Sequence, residues 1–238
     1  MITSASNARL KLVRKLASRR QRAKLGLFAC EGEDLVAAGL DAGLQPVEAL
    51  VDGGRPALRG RLPAAELVAP ELMAEISALG HPPRVIGVFR TADLPRGTPG
   101  SGVALWRVAD PGNVGTLIRT ADALGSGFVA LSAGCADPTS PKALRASAGA
   151  VFRVPTAAFD EAPRPWLALV ASGGTPLWEA DVGEGTLVLG AEREGLPEDV
   201  LARCDERISI PQEPEAESLN VAVAGALGLY ERLRRRPV

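Results

Sequence analysis

After residue 102 the chain repeats one pattern: a short β-branched or aliphatic run, a polar or glycine-rich junction, then a longer stretch with helical spacing. "GVALWRV" leads into "NVGTLIRTADALG", "GFVALS" into "SPKALRASAGA", and "TLVLGAE" into "LPEDVLARC". "RISIP" leads into a final helix running from about Ser218 to the basic "RLRRR" end. Strand–helix alternation of this kind predicts a mostly parallel sheet covered by helices on both faces. Ligands on such sheets collect at the carboxyl ends of strands, in the loops that lead into helices. A shorter alternation precedes it. We read a basic helix starting near Ser4 or Ser6, a short strand around Phe28, and a helix over "EGEDLVAAGLDAG" stopped by Gly43. A strand at "VEALV", a helix at "PELMAEISALG" and a strand at "RVIGVFR" follow. Between the two blocks "DLPRGTPGSG", with two prolines and three glycines, reads as a linker. The expected organisation is a small α/β domain over 1–92, a linker over 93–102 and a larger α/β domain over 103–238.

Composition removes several classes. The chain has 238 residues, 46% apolar and 23% charged, which is ordinary for a soluble globular protein. It contains no run of about 18 apolar residues, and its N-terminus lacks an apolar signal-peptide core, so a cytoplasmic protein is expected. Cys30, Cys135 and Cys204 are odd in number and widely separated, which points to free thiols and not to a disulfide framework or a zinc site. His81 is the only histidine, so no His-rich metal site exists, and "GHPPR" reads as a connection after a helix. The net charge of −1 hides an asymmetry: residues 1–97 carry 14 basic against 10 acidic side chains, and residues 98–238 carry 13 against 18. Residues 1–24 hold eight basic side chains and no acidic one, a footprint suited to a polyanion, although a solvated helix face gives the same pattern.

Three strand-to-helix junctions exceed plain turn chemistry. In "ADPGNVGTLIRTADALG" a strand breaks at Asp110-Pro111-Gly112, Asn113 is a candidate cap, and Arg119 falls in the second helical turn. An arginine there needs an anionic partner or an exposed position. In "LVLGAEREGLPEDV" Gly190 and Gly195 flank Ala-Glu-Arg-Glu, either for close ligand approach or for a tight turn, and Glu192 stands at the strand end. In "ISIPQEPEAESLNVAVAGALGLYE" Ser218 is the candidate cap of the last helix and Asn220 projects from its first turn. Gly225 and Gly228 give that helix a thin side suited to close packing. There is no G-x-G-x-x-G between strand and helix, no P-loop, no G-x-S-x-G elbow and no metal constellation.

Taken together in order and spacing, "DPGNVGTLIRTADALG", "LVLGAEREGLP" and "ISIPQEPEAESLNVAVAGALGLYE" resemble the three motifs of the SpoU/TrmH family of RNA ribose 2′-O-methyltransferases, of the SPOUT class. "SPKALRASAGAVFRVP" resembles the segment between the first two. "ITSASNARLKLVRKL" with "FACEGEDLV" is similar to the L30e-like RNA-binding domain that precedes the catalytic domain in many members. One departure is "QEPEAE", where members often carry methionine and glycine-rich residues. The resemblance implies a SPOUT-type sheet with a C-terminal trefoil knot that cradles S-adenosylmethionine through the backbones of Gly190, Ile210 and Leu219, together with Asn220. It further implies a functional set of Asn113, Arg119, Glu192, Ser218 and Asn220, and a homodimer packed through the knotted region. The expected substrate is RNA, with ribosomal RNA favoured over tRNA by the extra N-terminal domain. A tRNA methyltransferase and a non-catalytic RNA-binding protein are the competing readings.

Overall fold

The structure, a computed structural model, describes residues 1–77, 82–213, 215 and 218–236. His81, the end of the helix expected over "PELMAEISALG", and residues 214, 216 and 217 of the "QEPEAE" loop lie outside them.

The chain begins with α1 (Ala8–Leu16) and α2 (Arg19–Leu25), followed by β1 (Leu27–Glu31), α3 (Glu33–Asp41), β2 (Glu48–Asp52), β3 (Glu66–Val68), α4 (Pro70–Ile76) and β4 (Val85–Arg90). The strands form a mixed sheet in the order β1-β4-β2-β3, antiparallel except for the β2–β3 pair. The basic segment is therefore two helices and not one, the first starting at Ala8, two residues after Ser6. Asn7 caps α1, its side chain accepting from the Arg9 N–H at 2.9 Å.

The second block runs β5 (Gly102–Leu105), α5 (Pro111–Ala123), β6 (Val129–Leu131), α6 (Pro141–Ser147), β7 (Thr156–Ala158), β8 (Trp166–Val170), β9 (Thr175–Pro176), β10 (Thr186–Leu189), α7 (Glu198–Leu201), β11 (Glu206–Ser209) and α8 (Val221–Arg234). Among the described residues its strands make one all-parallel sheet in the order β7-β6-β5-β10-β8-β11-β9. β5 and β10 are buried at every position, as apolar runs covered on both faces require. On α5 the buried residues Val114, Leu117, Ile118 and Ala121 follow the i, i+3, i+4, i+7 spacing of a single core-facing stripe. The thin side of α8 is spent within the chain: a Cβ on Gly225 would stand 2.4 Å from Leu117 Cδ2, and one on Gly228 3.0 Å from Leu187 Cδ1. Helix α8 thus lies backbone-close on α5 and β10.

The two sheets share one hydrophobic cluster. Phe28 and Phe89 from the first block meet Phe152 from the second, with ring centroids 5.6 to 6.2 Å apart. The stretch 93–102 runs alongside β7, with Thr156 N–H donating to Pro95 O and Gly97 N–H to Thr156 O. Arg22 adds a polar bolt. It is 4% exposed, its Nε and Nη2 donate to Asp137 Oδ2 at 2.9 and 2.7 Å, and its Nη1 donates to the carbonyls of Leu16 and Ala17 at the end of α1. One of the eight basic side chains is therefore structural. Arg9 and Arg14 are paired as well, with Glu48 and Glu66 and with Glu75, which leaves Lys11, Lys15, Arg19, Arg20 and Lys24 exposed and without an ion pair among the described residues.

Cys30, Cys135 and Cys204 are free thiols, the first two buried, and burial pushes the Cys30 thiol well above its ordinary range. Among the described residues, no helix is long and apolar enough to cross a membrane.

Candidate active site

Three loops meet at the carboxyl ends of β5, β10 and β11. The first turns into α5, where Asp110, and not Asn113, is the cap. Its Oδ1 accepts from the N–H groups of Gly112 at 2.6 Å and Asn113 at 3.1 Å, and its Oδ2 accepts from Lys142 Nζ at 2.7 Å. The Lys142 hydrogen bond is the main reason the Asp110 carboxyl sits below its usual range. With Asp110 at the cap and Pro111 as the first helical residue, Asn113 projects from the first turn with its amide free for other work.

That amide reaches the second loop. Asn113 Nδ2 donates to Glu192 Oε1 at 3.1 Å, and the backbone N–H groups of Ala109 and Asp110 donate to the same carboxylate at 3.3 and 3.2 Å. Partial burial pushes the Glu192 carboxyl up, but the bonds from Asn113 and from backbone N–H groups outweigh it and lower the pKa. Glu192 is thus a carboxylate at neutral pH, an acceptor that ties the β10 loop to the start of α5. It is poorly suited to taking a proton.

The third loop joins through Asn220. Its Nδ2 donates to Asn113 Oδ1 at 3.1 Å, while its Oδ1 accepts from the N–H groups of Ala222 and Val223 at 2.8 and 3.3 Å. Asn220, not Ser218, caps α8. The result is a continuous chain of hydrogen bonds, Glu192–Asn113–Asn220, whose two links join residues 79 and 107 apart in sequence.

Beside this chain lies a cleft of about 590 Å³. Leu169, Leu189, Val221 and Ala224 give it an apolar floor, and Gly190–Gly195, Ile210, Gln212, Ser218 and Leu219 form its rim. A cleft of this size, apolar on its floor and polar along its rim, suits a small organic ligand. Gly190 serves the loop's own turn: a Cβ there would meet the Gly195 carbonyl carbon at 2.2 Å. Gln212, missed by sequence reasoning, contributes a buried Oε1 with no hydrogen-bond partner, an acceptor waiting for a ligand donor. No periodicity marks a glutamine inside an irregular loop, so only the fold could reveal it.

Of the sequence-derived set, the structure therefore brings Gly190, Glu192, Ile210, Ser218 and Leu219 to one cleft, with Asn113 and Asn220 bonded at its edge. Arg119 is not among them. Six residues beyond Asn113 on α5, it points about 240° round the helix from Asn113, is exposed, and has no ion pair among the described residues.

Residues 101–230 match the model of the SpoU rRNA Methylase family. The chain belongs to the SpoU rRNA methylase family. This SpoU methylase is 30% identical over 246 residues to the 23S rRNA (guanosine(2553)-2′-O)-methyltransferase RlmP of Bacillus subtilis, covering 96% of this chain and 97% of the relative. It is also 30% identical over 253 residues to the 23S rRNA (uridine(2479)-2′-O)-methyltransferase of Streptomyces viridochromogenes, covering 93% of this chain and 87% of that one. Its fold superposes on an AdoMet-bound rRNA methyltransferase from Sinorhizobium meliloti with a TM-score of 0.86 and 28% identity, over 100% of this chain and 98% of the other. These full-length matches identify the architecture of this SpoU methylase as a small mixed-sheet domain followed by an all-parallel SPOUT sheet.

Proposed function

We propose that this chain transfers a methyl group from S-adenosylmethionine to a ribose 2′-hydroxyl of 23S ribosomal RNA. The observation that carries the reading is the cleft rimmed by the β10 and β11 loops, with Glu192, Asn113 and Asn220 hydrogen-bonded in series at its edge. Its support includes two full-length relatives named as 23S rRNA 2′-O-methyltransferases and a solved neighbour named as AdoMet-bound.

The cleft fits the donor. Its apolar floor suits an adenosyl group, the backbones of Gly190, Ile210 and Leu219 are available for polar contacts, and the unpartnered Gln212 Oε1 can accept from an amine. When bound, S-adenosylmethionine supplies an electrophilic methyl carbon on a sulfonium. The protein's work is then alignment and charge stabilisation. Asn113, held between Glu192 and Asn220, fixes the relation between the β10 loop and the starts of α5 and α8, and Ser218 is available to the acceptor hydroxyl at the rim. Arg119 grips the phosphate beside the target ribose and stabilises the negative charge that develops as the 2′-hydroxyl passes its proton to solvent water. A guanidinium is too weakly acidic to serve as the base near neutrality. Titration calorimetry with S-adenosylmethionine tests the cleft: saturable binding of one donor per chain is expected, and no binding rules the reading out.

Residues 1–92 act as the L30e-like RNA-binding domain, joined through 93–102, with Lys11, Lys15, Arg19, Arg20 and Lys24 supplying salt-dependent phosphate contacts. The catalytic domain carries a trefoil knot, a reading supported by the convergence of residues 189–195, 210–212 and 218–221 on one cleft. The functional unit is a homodimer. Val223, Leu227 and Tyr230 lie on one outer face of α8, 48, 39 and 56% exposed, continued by Leu219. Spacings of four and three residues make them a contiguous stripe, opposite the glycines packed on the core. Light scattering should give twice the chain mass, and Tyr230→Glu together with Val223→Glu should return it to the monomer. A wild-type monomer at micromolar concentration contradicts this part of the reading.

A further inference from the structure

The donor cleft has a neighbour. Ala191, Glu192, Arg193 and Glu194 wall both the cleft and a second, more open groove of about 600 Å³, whose far side is formed by Arg107, Ala109, Asp110 and Gly134. Resting on the reading above, we propose that Arg107 grips the RNA backbone in this groove and so sets which nucleotide presents its 2′-hydroxyl to the donor.

Arg107 follows β5 and holds a backbone φ of 54°, one of two non-glycine residues at positive φ among those described. Its backbone N–H donates to Ser132 Oγ at 2.8 Å, which holds that conformation in place. The side chain then lies against the bare backbone of Gly134, where a Cβ would approach Arg107 Cγ to 3.3 Å and Nε to 3.5 Å. A left-handed arginine on a strand end is an unfavourable choice for a plain turn, and such conformations gather where a side chain must be aimed.

The groove's lining carries two arginines against three carboxylates, of which Asp110 is paired with Lys142, and the guanidinium groups are its free donors. The Arg107 guanidinium has no hydrogen bond or ion pair among the described residues, and neither does that of Arg193. The two acids nearest the donor side are occupied: Asp110 by Lys142 and two backbone N–H groups, Glu192 by Asn113 and two more. Glu194 is the carboxylate left facing the groove, against two unpaired guanidinium groups. A planar guanidinium with free donors matches a phosphodiester.

The groove shares the loop after β6 with the N-terminal block. Gly134, beneath Arg107, belongs to the same loop as Asp137, which Arg22 holds. The cleft between the two blocks is lined by Arg19 of α2 and by Ser132 and Asp137 of that loop. Arg193 touches both cavities, so its removal would confound donor and RNA binding; Arg107 lines only the groove and is the diagnostic residue.

The test is Arg107→Gly, because glycine takes the left-handed conformation freely and only the side chain is lost. Methyl transfer to unmodified 23S rRNA transcribed in vitro is measured with saturating donor over a range of salt. Arg107→Gly should raise the KM for RNA about tenfold, lower the salt slope of RNA binding by about one, and leave calorimetric donor affinity unchanged. Arg107→Lys should keep the salt slope and recover part of the KM. Wild-type KM and salt slope in Arg107→Gly, with transfer intact, overturn this proposal and leave the methyltransferase reading standing. A wild-type protein that binds donor but transfers nothing to the RNA overturns both.

Discussion

Arg119→Ala is expected to lower kcat for methyl transfer by about 10²- to 10³-fold, the scale for losing one group that stabilises developing charge. Donor affinity should not change, because Arg119 stands outside the cleft and pairs with none of its residues. Fold stability should stay within about 0.5 kcal/mol, the usual range for an exposed helix position without partners. Arg119→Lys separates the two ways the residue can act. Lysine keeps the charge and loses the planar fork, so a bidentate phosphate grip predicts that most of the activity is lost. Near-normal transfer by the lysine variant at neutral pH would contradict that role.

The second large effect belongs to Gly190→Ala. The added methyl would sit 2.2 Å from the Gly195 carbonyl carbon and 2.5 Å from the Leu196 nitrogen, which are backbone atoms that cannot rotate aside. The loop is also closed on itself, Ala191 and Gly195 exchanging backbone hydrogen bonds of 3.1 and 2.9 Å. Relief requires opening the turn, which moves Glu192 off the N–H groups of Ala109 and Asp110 and off Asn113. We expect a stability loss of about 1–3 kcal/mol in urea unfolding and at least a tenfold loss of donor affinity. Gly195→Ala is the control. Its φ of 65° costs some strain, yet a Cβ there meets nothing within 4 Å, so it should bind the donor better than Gly190→Ala. Equal donor binding by Gly190→Ala and the wild type would mean that the loop does not shape the cleft.

The parallel sheet was legible because β5 and β10 are uninterrupted apolar runs, each followed by a polar junction and a helical stripe. Strand β8 escaped that reading although it lies between β10 and β11. "WLALV" satisfies a buried helix as readily as a buried strand, and only its neighbours decide. β3, β7 and β9 have two or three residues, too few for any period to register.

The site was legible as a set of loops but not in its local roles. Asp110 and Asn113, like Ser218 and Asn220, are both cap-forming types within three residues of each other, and composition cannot choose between them. The fold assigns the caps to Asp110 and Asn220, which frees the Asn113 amide to link Glu192 with Asn220. Charge was misleading at Arg22. Counted with the basic helix, it is buried against Asp137 because α2 packs on the loop after β6, a long-range contact with no local signature.

The most direct test incubates the purified protein with unmodified 23S rRNA and labelled S-adenosylmethionine, then digests the RNA to nucleosides for mass spectrometry. The label should appear in a single 2′-O-methylnucleoside, and should disappear with Arg119→Ala. Label on a base, or none on RNA from a protein shown to bind the donor, would contradict the account.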